Sequence, residues 1–313
     1  MIYISSPFIQ RTRKIGVNMN RKRLSKSQKI NLTGWWFLVP AMILITCFSL
    51  YPMVNAFITS LKTGTGLQLS FCGLSNYIRA FQDDVFVQSI INCIFYLVLQ
   101  VPIMLILALV LASALNNPNL KFRGVFRTCI FLPCATSLVA YAIVFRSLFA
   151  TDGFINSILM NLGIIKEAYN FLANPASAKI VIVIALIWRW TGYNMVFYLA
   201  ALQNIDSSVY EAAKVDGASP VHTFFRITLP LLKPTILMTA IMSTNGTLQL
   251  FDESMNLTNG GPGNASITMS HYIYNTAFKG VPNFGYTSAM SFVILLMVAV
   301  LAYIQMRVGD DNE

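Results

Sequence analysis

Long apolar stretches alternate with short polar ones along this chain, and the lengths of the apolar stretches set the first expectation. Ile30 to Leu61, Val85 to Leu120, Thr128 to Phe145, Pro234 to Phe251 and Gly280 to Met306 carry no charged residue, and Ile180 to Ile205 carries one, Arg189. Each is about 18 residues or longer, enough for a helix to cross roughly 30 Å of hydrocarbon. A buried helix of a water-soluble protein rarely needs more than about 14 such residues. The pattern predicts about six transmembrane helices, near 34–59, 88–115, 127–149, 179–202, 229–251 and 286–307. Helices are expected because backbone amides in lipid must pair within their own segment. A β-barrel would alternate over short segments of about ten residues, and the chain shows no such alternation. The expected fold class is all-α, a polytopic membrane helix bundle. Pro40, Pro52, Pro102 and Pro133 fall inside the expected spans. In water they would end helices, but in a bundle neighbouring groups can satisfy the freed carbonyls.

Composition agrees with this picture. The chain of 313 residues is 56% hydrophobic and 11% charged, against about a quarter charged in a soluble domain. Its net charge of +10 is unevenly placed. Residues 1–33 hold eight cations and no acid, and with the second and fourth inter-span segments and the tail one side collects fifteen cations against five on the other. Positive charge is retained in the cytoplasm, so both termini are expected there. The basic N-terminal stretch lacks aromatic interleaving, so nucleic acid is not an expected partner. The apolar run after it is too long for a signal-peptide core, and Met19 could serve as the start of translation. The expected organisation is a basic cytoplasmic segment over 1–33, a transmembrane domain over 34–307 with a cytoplasmic loop at 206–228, and a tail at 308–313.

Chemistry-bearing residues are sparse. Cys47, Cys72, Cys93, Cys129 and Cys134 form no CxxC pair and read as small apolar packing residues. No Gly-x4-Gly-Lys-Ser/Thr phosphate loop occurs, so the chain is not expected to hydrolyse ATP and is not read as an enzyme. His222 and His271 stand alone, His222 on the loop surface and His271 in an external loop. No catalytic group, metal site or cofactor is expected.

The loop ahead of the fifth span is the most informative segment. Asp206 or Ser207 is placed to cap a short helix, and Glu211, Ala212 and Ala213 favour its interior. Gly217 suits a left-handed stop, Ser219 and Pro220 a second start, and Pro230 the start of the fifth span. Two short helices meeting at a tight turn result. Tyr210, Ala213, Val215, Val221, Phe224 and Phe225 give them apolar surface, which could pack on the chain's own bundle or be presented to a cytosolic partner.

Glu211-Ala212-Ala213, then Gly217, then Ile227-x-Leu229-Pro230 resembles the EAA loop of permease subunits of bacterial binding-protein-dependent ABC importers. Leu257-Thr-Asn-Gly-Gly-Pro262, His271-Tyr-Ile-Tyr274 and Ala277-Phe278 are similar to the segment before the last span of the maltose and glycerol-phosphate type within that family, as is Trp188 to Gln203. The resemblance runs from about Gly34 to Arg307. It implies a type I importer transmembrane fold in the cell membrane and a coupling helix that docks on a dimer of ATPase subunits. It also implies a second, related permease, an extracellular solute-binding protein and a carbohydrate as solute. Tyr210, Glu211, Ala212, Ala213, Asp216, Gly217, Leu229 and Pro230 would carry the coupling. A glycerol-phosphate ester is the alternative solute.

Polar groups deep in a span are costly and tend to face a cavity or a partner. Trp188, Thr191, Gly192 and Met195 share one helical face at i, i+3, i+4 and i+7, an aromatic platform beside a hydroxyl and a bare glycine that would suit a sugar ring. Helix packing would use the same small residues. Thr191 and Met195 depart from the maltose-contacting side chains of the resembling family. In the fifth span, the resemblance turns Gly246, Thr247 and Leu250 towards the sugar, and Asn245, Gln249 and Asp252 form a second stripe read as subunit-interface material. Arg189 needs a partner, for which Asp252 is a candidate. An ion-driven secondary transporter would need carboxylates at mid-membrane, and only Asp252 approaches a span's interior. A membrane scaffold without transport would not need the polar faces of spans four and five.

Overall fold

The computed structural model describes residues 26–64 and 69–310. Most of the basic N-terminal segment, the alternative start at Met19 and the last three residues of the tail lie outside the described residues. In chain order the helices are α1 (Lys26–Ile45), α2 (Tyr51–Ser60), α3 (Ser75–Gln82), α4 (Asp84–Asn116), α5 (Arg123–Ala135), α6 (Leu138–Leu148), α7 (Phe154–Asn161), α8 (Pro175–Gln203), α9 (Ser207–Val215), α10 (Pro220–Thr223), α11 (Leu229–Leu248), α12 (Met269–Phe278) and α13 (Phe284–Asp310). A two-residue antiparallel pairing joins Lys62–Thr63 to Ser70–Phe71. Residues up to Val54 make one compact unit and residues from Asn55 a second.

Among the described residues, five helical stretches are long and apolar enough to cross a membrane: Gly34–Ser60, Asp84–Asn116, Pro175–Gln203, Pro220–Leu248 and Phe284–Gly309. The sixth stretch, expected as one span over 127–149, is broken. Helices α5 and α6 meet at 99°, across the extended backbone of Thr136 and Ser137. Pro133 sits in the last turn of α5, and the Thr136 hydroxyl donates back to its carbonyl at 2.7 Å. A carbonyl left open by such a break needs a donor away from water. Arg189 of α8 supplies it, donating to the Thr136 carbonyl at 3.1 Å and more weakly to that of Cys134 at 3.4 Å.

Two other prolines are absorbed differently. The helix opens into a wider turn at Thr46–Leu50 just before Pro52, and at Phe224–Thr228 just before Pro230. A proline ring collides with the carbonyl four residues back, and a wider turn moves that carbonyl away. Through the second of these turns, α10 runs on into α11, so the span is continuous from Pro220 to Leu248. The sequence reading separated a short second loop helix from a span starting near 229. Leu229 and Pro230 instead lie inside one long helix.

In the second unit α8 packs along α4 and α5, and α11 packs against α4, α8 and α13. Its apolar clusters include Tyr96, Ile182 and Leu186 in one group and Ala112, Met195, Tyr198 and Leu232 in another. At the end opposite the loop before α11, Asp83 ties three helices together. Its Oδ1 accepts from the N–H groups of Val85 (3.0 Å) and Phe86 (3.2 Å), capping α4, and its Oδ2 accepts from the hydroxyls of Tyr272 (2.6 Å) and Tyr286 (2.7 Å). Burial works to raise the Asp83 carboxyl, but these four donors outweigh it and hold the group below its ordinary range.

His271, read from the sequence as part of an external loop, is fully buried in the first turn of α12. Its Nδ1 pairs with the Ser254 hydroxyl at 2.9 Å, and Gly260 approaches so closely that an added Cβ would lie 3.3 Å from the imidazole Cε1. Desolvation, with a smaller contribution from Lys279, lowers its pKa to about 4. An unfolded histidine takes a proton near pH 6.5. Between those values only the unfolded state is protonated, so the thermal midpoint of the purified protein is expected to fall as pH drops from about 6.5 towards 4. His271→Asn keeps a polar group but cannot take the proton, and should remove that part of the pH dependence. An identical pH profile in the variant would show that His271 does not contribute to it.

Candidate functional site

A cavity of about 360 Å³ opens among α4, α8, α11 and the chain that follows α11. It sits where two helical breaks come together. One is the α5–α6 break, whose far side begins at Leu138. The other is the unwound stretch Gln249–Phe251 just beyond the end of α11. Irregular backbone at membrane depth is tolerated only where it is buried in protein or lines a cavity, and both breaks border this one.

Helix α8 contributes Leu186, Arg189, Trp190, Tyr193 and Asn194, a single stripe at i, i+3, i+4, i+7 and i+8. Helix α4 contributes Gln100 and Met104, and α11 contributes Met242, Ser243, Gly246 and Thr247. Polar side chains on the wall hold one another in place. Thr247 donates to Gln100 Oε1 at 3.0 Å, and Asn194 donates to the Trp190 carbonyl at 3.0 Å. Arg189 is 5% exposed, with its guanidinium 5.0 Å from the Tyr141 ring centroid and 5.5 Å from that of Trp190. Its Nη2 serves the α5 break, while Nε and Nη1 have no hydrogen-bond partner among the described residues. The sequence offered Asp252 as its partner. Asp252 does line the same cavity, together with Glu253, but backbone carbonyls take the hydrogen bonds.

Of the solute-path residues read from the sequence, Gly246, Thr247 and Leu250 line this cavity. Trp188, Thr191, Gly192 and Met195 do not. Trp188 stacks on Tyr141, with ring centroids 6.3 Å apart. The Thr191 hydroxyl turns back to the Ile187 carbonyl at 2.6 Å. Gly192 lies against α5, where an added Cβ would stand 1.9 Å from the Ile130 carbonyl oxygen. Met195 is buried among Tyr198, Leu199 and Leu232. These four share a face, as their spacing requires, but Thr191, Gly192 and Met195 are buried against neighbouring helices, and Trp188, 45% exposed, stacks on Tyr141 outside the cavity. The sequence reading also kept the two α11 stripes apart. Gln249 and Asp252 border the cavity alongside Gly246 and Thr247, because the helix has unwound before it reaches them. Gln100, Trp190, Tyr193, Asn194 and Glu253 were missed. Gln100 is the only glutamine or glutamate-type side chain between Ser89 and Leu120, and its isolation in an apolar run was the available signal.

At the other end of α8, the turn before α11 follows its expected chemistry closely. Asp206 Oδ1 accepts from the Ser208 N–H at 2.9 Å, capping α9, and this bond holds its carboxyl below the ordinary range. Gly217 takes φ +74°. The Gly217 N–H donates to the Lys214 carbonyl at 3.1 Å and the Ala218 N–H to the Ala213 carbonyl at 2.9 Å, the paired bonds of a Schellman stop. Ser219 Oγ accepts from the His222 N–H at 3.3 Å. The apolar residues divide into two sets. Ala213 is 5% exposed and Tyr210 receives the Thr228 hydroxyl at 3.4 Å, whereas Val215 (87%), Val221 (66%) and Phe225 (59%) stand in the open. Glu211, Ala212 and Asp216 are exposed as well.

A model of the binding-protein-dependent transport system inner membrane components matches residues 104–310. The chain is 52% identical over 293 residues to the lactose transport system permease protein LacF of Rhizobium radiobacter, covering 93% of this chain and 98% of that one. It is 33% identical over 278 residues to the arabinooligosaccharides transport system permease protein AraP of Bacillus subtilis (strain 168), covering 88% of each. Among solved structures, a bacterial ABC transporter involved in the import of the acidic polysaccharide alginate shares the fold, with a TM-score of 0.80 at 23% identity over 92% of this chain and 98% of that one. The chain therefore belongs to the family of binding-protein-dependent transport system inner membrane components, and is a multi-pass membrane protein and transport subunit.

Proposed function

We propose that this chain forms half of the alternating-access path of an ATP-driven importer for a neutral mono- or oligosaccharide. The observation that carries this reading is the wall of the cavity. Trp190 and Tyr193 offer flat apolar surface, and Gln100, Asn194, Thr247 and Gln249 offer uncharged hydrogen-bonding groups. A sugar ring has the complementary make-up, with apolar faces and polar edges. Relatives named for lactose and arabinooligosaccharide transport point the same way.

The partners are a dimer of ATP-binding-cassette subunits, a second related permease that closes the path, and an extracellular binding protein that delivers the solute. ATP is hydrolysed in the separate subunits. The exposed knob of α9 and the Gly217 turn, with Glu211, Ala212 and Asp216 on its surface, docks on the ATPase. Tyr210, Ala213, Leu229 and Pro230 hold the knob in position from behind. The excess of cations around this loop and at the N-terminus supports a cytoplasmic loop and cytoplasmic termini.

A phosphate ester is the second reading, favoured by the two unpartnered nitrogens of Arg189. Asp252 and Glu253 on the same wall oppose an anion. The test is uptake of labelled saccharides and glycerol phosphate by the assembled complex in proteoliposomes. Gln100→Leu should raise the KM for a saccharide roughly tenfold with little change in assembly, because it removes a buried amide from the wall and leaves Thr247 unpaired. Unchanged saccharide kinetics, or uptake of the phosphate ester alone, would sink the saccharide reading.

A further inference from the structure

Helix α3 is built the wrong way round for water. Its inward side is made by Asn76, Tyr77 and Ala80, while Ser75, Arg79 and Gln82 are exposed. Asn76 is buried and donates to the carbonyls of Ser60 and Lys62, both at 2.8 Å, and Tyr77 pairs with the Ser60 hydroxyl at 2.7 Å. Ala80 is packed with Phe86, Tyr286 and Met290, and the Arg79 guanidinium lies 4.2 Å from the Tyr286 ring centroid. The large apolar side chains face outward instead. Phe71 is 78% exposed, Leu74 65%, Ile78 59% and Phe81 61%, spaced along the chain so that the last three form one helical stripe. A soluble surface does not normally line up four such residues, because each exposes apolar area to water.

Three further facts say what covers this stripe. Asn76 is bonded to carbonyls at the end of the first span, so α3 is tied to the level at which that span ends. Gln82 is separated from the start of the second span by Asp83 alone. The spans beside it also show apolar side chains outward, with Phe57 and Ile58 at the end of the first and Phe284 at the start of the last. Arg79 is exposed at the edge of the stripe, where it can reach a lipid phosphate while its stem stays on apolar surface.

We propose that Ser75–Gln82 is an interfacial foot, lying in the headgroup–acyl boundary of the leaflet on the side away from the coupling loop, with Phe71, Leu74, Ile78 and Phe81 in lipid. Through Arg79, Tyr286 and the Asp83 cluster, it sets the depth at which α4 and α13 enter the membrane. The inference rests on the membrane-spanning architecture and not on the identity of the solute.

The test uses the full complex in nanodiscs of phosphatidylethanolamine and phosphatidylglycerol, with the photo-crosslinker benzoylphenylalanine placed at position 78 or 81. Position 98, on the outward face of α4, serves as the lipid control, and position 215, on the coupling loop, as the non-lipid control. Phospholipid adducts at 78 and 81, as at 98 and unlike 215, with and without binding protein, are expected by mass spectrometry. Adducts to the binding protein or the second permease, or no lipid adduct at 78 and 81 while 98 gives one, would overturn the proposal. Phe81→Asp should lower the amount of assembled complex several-fold, whereas Phe81→Trp should leave it unchanged, and equal yields of the two variants would also count against a lipid contact.

Discussion

Gly217→Val is expected to cut coupled uptake roughly 5- to 30-fold while the chain still inserts in the membrane. Gly217 holds φ +74°, and a Cβ built on it meets nothing within 4 Å. The cost is therefore confined to the backbone, about 1–2 kcal/mol for an ordinary L residue in the left-handed region and more for a β-branched one. A change of that size shifts a two-state population by the factor given above. Relieving the strain would break the paired bonds from Gly217 and Ala218 to Lys214 and Ala213, and Val215, the most exposed apolar residue of the knob, would move with them. Gly217→Asn should recover much of the activity, because asparagine tolerates positive φ better than other residues with a Cβ.

Glu211→Lys should act on the same interface by reversing an exposed charge near the middle of α9. The measurements are solute uptake, stimulated ATPase of the complex, and disulfide crosslinking of an engineered cysteine to the ATPase subunit. Ala213 would be the probe position suggested by the loop sequence, but it is buried, so the cysteine belongs at Val215. Full uptake and full crosslinking in Gly217→Val would return this loop to plain packing.

The second large effect separates two glycines that look alike in the sequence. Gly192→Ala should sharply reduce the yield of assembled complex, because the new methyl would stand 1.9 Å from the Ile130 carbonyl oxygen and 2.7 Å from its carbon. These are backbone atoms of α5 and cannot rotate away, so α5 and α8 must part at a cost of about 1–3 kcal/mol or more. The same shift would pull Arg189 from the Cys134 and Thr136 carbonyls and unsettle the α5–α6 break. At Gly246 an added Cβ meets nothing within 4 Å, and the residue lines the cavity. Gly246→Leu should therefore leave assembly intact and lower uptake by about tenfold or more through lost space on the path. Size-exclusion yield and uptake kinetics distinguish the two. A normal complex from Gly192→Ala, or unimpaired uptake in Gly246→Leu, would contradict the packing at that position.

The apolar runs were enough to determine that the chain crosses the membrane several times, because a helix of that length and composition has no cheaper environment than lipid. The turn before α11 was equally legible, since caps and a left-handed glycine depend on atoms only a few residues apart: Asp206 with Ser208, Gly217 with Lys214, Ser219 with His222. Periodicity also grouped Trp188, Thr191, Gly192 and Met195 correctly on one face of α8. Which face meets the cavity was beyond it, because Gly192 faces inward only by virtue of where α5 passes, and α5 lies some 60 positions earlier in the chain. The same holds for the two helical breaks. Nothing local says that the chain should turn by 99° at Thr136, or that α11 should unwind at Gln249. At the first bend Arg189 of α8 donates to the opened carbonyls of Cys134 and Thr136, and at the second the Ser270 hydroxyl of α12 donates to the Gln249 carbonyl. Buried polar groups must be paired where water is absent, and the partner's position is a property of the tertiary structure.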